Sequence, residues 1–159
     1  SAASDVYKRQ VYNSIKYFMD DYFNAFYDIV KETQESSGYV LPVDLESYIV
    51  MLLSHNIDKP DWLPEKSFGE LYMKLDSRLS AKELGDACLF LTGVFPAYAT
   101  KKVNRKYYQD IGSSSYEVVH ELIPGSLFGQ LSTHFVFLSD FIEFTMNNSK
   151  EEISNLRNF

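Results

Sequence analysis

The sequence predicts an all-α fold, an irregular bundle of about six or seven helices. Three observations lead there. Apolar residues recur at three- and four-residue spacing along most of the chain, which lays them along one face of a helix. Helix start and stop signals punctuate these stripes, among them Gly38, Pro42, Ser67, Ser80, Pro96 and Pro124-Gly125. No stretch alternates apolar and polar residues between hairpin turns, so no substantial sheet is expected.

The first stripe, over residues 11–35, is Ile15, Phe18, Met19, Tyr22, Phe23, Phe26, Ile29 and Val30, with Asp20, Asp21, Asn24 and Asp28 on other faces. Gly38 suits the left-handed cap that ends such a helix. Pro42 then opens a second helix, because proline is tolerated in a first turn, and Leu45, Tyr48, Ile49, Leu52 and Leu53 form its inner face to about Asn56. Pro60 and Pro64 make residues 58–64 a loop. Ser67 and Glu70 have capping-box spacing and start a helix that runs to about Leu79, and Ser80 with Glu83 starts the next, which implies a tight corner between them. That next helix, residues 81–95, is apolar nearly all round and is therefore expected at the centre of the bundle. After Pro96 a further helix is expected over 101–122, with Gly112 as a point of bending or breaking. Leu127, Phe128, Leu131, Phe135, Leu138, Ile142 and Met146 define one long helix, and Ser149 with Glu152 caps a short terminal one.

With 159 residues, 45% of them hydrophobic, the chain has the length of one domain and enough apolar material for one core. Its first ten residues, Ser-Ala-Ala-Ser-Asp-Val-Tyr-Lys-Arg-Gln, resemble the in-frame translation of a transposase-type sequencing adapter. That resemblance implies that residues 1–10 are not native, that a single helical domain spans 11–159, and that the source is metagenomic or a draft assembly with native residues missing upstream. The formal charge is −7, and leaving out those ten residues makes it one unit more negative. An acidic balance disfavours general nucleic-acid or anionic-membrane binding, which rely on basic surface. Cys88 is the only cysteine, so no intramolecular disulfide calls for an oxidising compartment, and a cytoplasmic location is expected. The least polar stretch, residues 87–99, is shorter than the roughly 20 residues that span a bilayer, so no membrane insertion is expected.

Catalytic signatures are sparse. His55, His120 and His134 form no metal-binding pattern, no cofactor motif is present, and neither a nucleophile elbow nor a phosphate-binding loop occurs. Asp86 stands among Leu84, Ala87, Cys88, Leu89 and Phe90, where an unpaired charge is costly, so it is read either as a tuned carboxylate in a pocket or as a tether between helices. Cys88 lacks a neighbour that would lower its pKa and reads as a core thiol. Lys101, Lys102, Arg105 and Lys106 are the one basic cluster, either an edge for an acidic or phosphorylated ligand or a solvated helix start. Tyr108, Gly112 and Tyr116 share a face beside it, which suits a ligand groove or close helix packing. The many aromatics of the first helix, Tyr12, Tyr17, Tyr22 and Tyr27 with Phe18, Phe23 and Phe26, exceed one buried stripe and suggest a partner interface or a core of bulky rings.

The segment Leu-Gly-Asp-Ala-Cys-Leu-Phe-Leu-Thr-Gly-Val-Phe-Pro at residues 84–96, continuing to Tyr107, Tyr108, Gly112 and Tyr116, resembles a segment of uncharacterised bacterial all-helical proteins with no assigned activity. The resemblance covers the middle third of the chain and implies a bacterial source and a helical fold. Two function classes are left open: a binding or protein-interaction domain, and an enzyme or cofactor-binding protein whose site assembles around Asp86, Tyr108 and His134.

Overall fold

A computed structural model describes residues 2–57, 68–73 and 78–157 in backbone, with the side chains of all these but 10–21, 78, 79, 102 and 157. Among these residues the fold is all-helical, without strands. The described elements are α1 (Ala2–Ser37), α2 (Val43–Asn56), α3 (Phe68–Met73), α4 (Arg78–Val94), α5 (Pro96–Lys102), α6 (Arg105–Leu122), α7 (Leu127–Thr133), α8 (Phe135–Asn148) and α9 (Lys150–Arg157).

These nine described helices exceed the six or seven expected, because two expected helices are each divided. The first division precedes residue 105. Pro96 starts the short α5, and Asn104 then caps α6, its side-chain oxygen accepting from the Tyr107 amide at 2.7 Å. The second falls at His134. Ser113 of α6 donates its hydroxyl to the Ser132 carbonyl at 2.9 Å, and Ser132 donates its own to the Ser113 carbonyl at 2.8 Å, so α7 is tied to α6 while α8 turns onto α4. The corner expected between Leu79 and Ala81 is corrected: α4 already includes residues 78–80, so Ser80 lies inside a helix. The Ser-x-x-Glu spacing there is compatible with a helix interior, since its neighbours Lys82 and Glu83 are good helix formers. The expected loop at 58–64 and the Ser67 cap lie outside the described residues.

α4 is the central element, packed against α2, α3, α5, α6 and α8, as its all-round apolar character requires. Leu84, Cys88, Leu89, Phe90 and Leu91 are buried on it and join one cluster of buried side chains drawn from every helix. Its partner across the core is α8, which buries Phe135, Leu138, Phe141 and Ile142. A buried hydroxyl pair, Thr92 with Ser139 at 2.9 Å, links α4 to α8 inside this apolar contact.

Between α1 and α2 the chain reverses at Gly38, whose φ of 78° is the left-handed cap that ends α1. A buried polar cluster holds the reversal. Gln34 accepts from the Leu41 amide at 2.7 Å and donates to Glu46 at 2.5 Å, and the Lys31 ammonium reaches the same Glu46 oxygen at 3.1 Å. Glu46 is buried on α2, where an unpartnered carboxylate would be costly. Among the described residues no helix is long and apolar enough to cross a membrane.

Candidate functional site

Asp86 projects from α4 with its side chain 18% exposed. Its Oδ1 accepts from the Tyr48 hydroxyl of α2 at 2.5 Å and from the Tyr116 hydroxyl of α6 at 2.7 Å, while Oδ2 takes the Lys82 ammonium at 2.9 Å. Phe128 of α7 packs its ring against both tyrosines. Burial, and then the negative Asp86 beside them, push both phenols well above the ordinary tyrosine range. A carboxylate already engaged by three donors, next to two phenols that hold their protons, ties α2, α4 and α6 together.

The other expected site residues do not converge on it. Tyr108 lies eight residues before Tyr116, about 12 Å along the axis of α6, and packs edge-on against Phe68 and Tyr107. Tyr116 is fully buried. Gly112 between them is not a groove: a Cβ there would collide with the Phe135 ring and lie 2.7 Å from the Cys88 Cβ, so α4 and α8 already fill that face. His134 is exposed at the α7–α8 junction, and His120 packs against Gly129. Among the described residues no three His, Cys, Asp or Glu side chains are grouped to hold a metal ion. Cys88 is buried, and burial pushes its thiol up, away from the reactive thiolate.

The basic cluster is divided in the same way. Arg105 donates to the Thr92 carbonyl at 3.2 Å and to Asp140 at 2.7 Å, and its second terminal nitrogen lies 3.2 Å from a Glu143 oxygen. Lys106 pairs with Asp110 one turn further along α6 at 2.9 Å. Lys101 is exposed near the end of α5, and the side chain of Lys102 lies outside the described residues. Arg105 and Lys106 thus engage carboxylates of this chain, on different helices, and do not form one open edge.

Among the described residues a concave surface lies elsewhere, between the end of α1 and α8. Ser37, Tyr39, Phe137, Asp140, Phe141 and Phe144 line a cleft of about 260 Å³. Its floor is a second apolar stripe on α8: Phe137, Phe141 and Phe144 recur at helical spacing, while the core-facing stripe of Phe135, Leu138 and Ile142 is already buried. Phe137 and Phe144 are 38% and 44% exposed. Tyr39, at 57%, stands edge-on to Phe137 with ring centroids 5.3 Å apart. Gln34 and Glu46 hold the reversal that carries Tyr39 to this position.

Sequence reasoning placed the surplus aromatics on the first helix. Of the described ones there, Phe26 and Tyr22 are buried, and Tyr27 is exposed. Tyr12, Tyr17 and Phe18 have side chains outside the described residues. The signal for the cleft was nonetheless present, because residues 135–146 carry apolar side chains around more of the helix than one buried face accommodates. Comparison with family models, with curated proteins and with solved structures returns no match.

Proposed function

We propose that this chain is a protein-interaction domain that engages its partner through the cleft between α1 and α8. The observation that carries this reading is the second stripe of α8, whose Phe137 and Phe144 are left open to solvent beside Tyr39 after the core has been filled. Exposed aromatics grouped around a concavity are the usual anchors of protein interfaces. A cleft of about 260 Å³ suits one or two side chains of a protein segment.

The enzyme reading has less support, since Asp86 spends its oxygens on Tyr48, Tyr116 and Lys82, and Tyr108 lies about two turns of α6 before Tyr116. An acidic partner at Lys101, Lys102, Arg105 and Lys106 is likewise less supported, because Arg105 and Lys106 have carboxylate partners within the chain. A cytoplasmic setting belongs to the same reading, and a lone buried thiol suits it.

The test is selection of a random dodecapeptide library on the full chain, followed by binding measurements on the doubly substituted Phe137→Ser, Phe144→Ser variant. Both side chains are partly exposed, so helical circular dichroism is expected to be unchanged. Selected peptides are expected to bind the variant at least tenfold more weakly, a difference of about 1.4 kcal/mol. Equal binding to the two proteins would overturn the cleft as the site.

A further inference from the structure

Resting on the cleft as the binding site, we infer that the segment it receives carries a lysine or arginine beside its apolar anchor. Three sources of negative potential lie at the cleft or beside it. Asp140 is the charged residue of the lining and its side chain is 55% exposed. Glu143 stands on the same helix at the next turn, and a single guanidinium, that of Arg105, is shared between the two carboxylates. The trio therefore keeps an excess of one negative charge.

The third source is backbone. Ser37, which lines the cleft, is the last residue of the 36-residue α1, so the C-terminal end of that helix lies at the site. Carbonyls without helical partners carry partial negative charge at a helix C-terminus, and basic side chains usually balance them. α1 has no basic residue in its last turn, and the exposed Glu35 adds a carboxylate there. Among the described residues, the last turn of α1 supplies no cation to complement this end.

The apolar part of the cleft suits the same ligand. Faces of Tyr39, Phe137 and Phe144 attract a cation as well as an apolar stem, and arginine combines both. With a net charge of −7 the whole chain also draws cationic segments toward it at low salt. An acidic or phosphorylated segment would meet Asp140, Glu143 and the α1 carbonyls together.

The experiment compares peptides selected from the dodecapeptide library on the full chain with those selected on Asp140→Lys, at low and at physiological salt. Full-chain peptides are expected to combine Lys or Arg with a bulky apolar residue, to weaken as salt rises, and to bind Asp140→Lys at least tenfold more weakly. Peptides selected on Asp140→Lys are expected to lose the cation. Peptides that need Phe137 and Phe144 but are neutral or acidic, or that ignore Asp140→Lys, would overturn this inference and leave the cleft reading standing. Phosphatidylcholine vesicles are the second probe, and the chain is expected not to bind them. Vesicle binding that requires Phe137 and Phe144, with no peptide selected, would overturn both readings and assign the face to a lipid surface.

Discussion

Tyr116 of α6 donates its phenolic hydrogen to Asp86 of α4 across the most extensive contact among the described helices, at 2.7 Å. Tyr48 of α2 donates to the same oxygen, so a single carboxylate sets how three helices sit on one another. Removing a phenol and removing the carboxylate should differ in cost. Tyr116→Phe takes away one donor, a loss of about 1 kcal/mol. Asp86→Ala leaves both phenols and Lys82 without their acceptor and is expected to cost about 1–3 kcal/mol. Urea denaturation of the two variants checks the order.

Gly85 makes room for Tyr116. A Cβ at Gly85 would lie 2.6 Å from two ring carbons of Tyr116, which is fully buried and fixed at its hydroxyl. Gly→Ala in a helix ordinarily gains up to about 1 kcal/mol. Forcing a methyl into a filled core costs about 1–3 kcal/mol, so overpacking should win and Gly85→Ala should lower the thermal midpoint.

Alkaline pH is expected to unfold the protein through buried groups that keep their protons. Tyr48, Tyr116 and Cys88 all have folded pKa values raised, chiefly by burial. A raised folded value means that the stabilisation is complete below the unfolded pKa. The unfolded thiol releases its proton from about pH 8.5 and the unfolded phenols from about pH 10. Above those points each group lowers stability by about 1.4 kcal/mol per pH unit, until the folded form titrates as well. Denaturation midpoints measured from pH 8 to 11 should fall more steeply above 10, and Tyr48→Phe should reduce that slope by one group's share.

Residues 2–9 extend α1 but are exposed throughout. Deleting residues 1–10 is expected to leave the thermal midpoint unchanged, since a contribution of 1 kcal/mol would shift it by roughly 2–8 °C. Differential scanning calorimetry of the shortened chain makes the comparison.

The helical class and the central place of α4 were legible because both follow from spacing and composition alone, which need no knowledge of neighbours. Asp86 was legible for a related reason: a carboxylate among Leu84, Cys88 and Leu89 must find donors. Which tyrosines supply them depends on tertiary approach, since Tyr48 and Tyr116 lie 38 and 30 residues away. The burial of Glu46 was not legible, because its partners, Gln34 and Lys31, come from another helix. The basic run left a docking edge open beside a solvated helix start, because charge counting along a segment does not reveal that Asp140 and Glu143 return to Arg105 from α8. The α8 cleft escaped notice since Phe137 and Phe144 resemble core residues until Phe135, Leu138, Phe141 and Ile142 are seen to occupy the core side.

The central claim is that the cleft between α1 and α8 is where a protein segment binds. The most direct measurement is a set of intermolecular nuclear Overhauser effects between the isotope-labelled full chain and an unlabelled selected peptide. The account requires contacts from an apolar peptide side chain to the rings of Tyr39, Phe137 and Phe144, with the Tyr48–Asp86–Tyr116 cluster undisturbed. Contacts concentrated on Tyr48 and Tyr116, or on α5 around Lys101, with the three cleft rings unchanged, would contradict it.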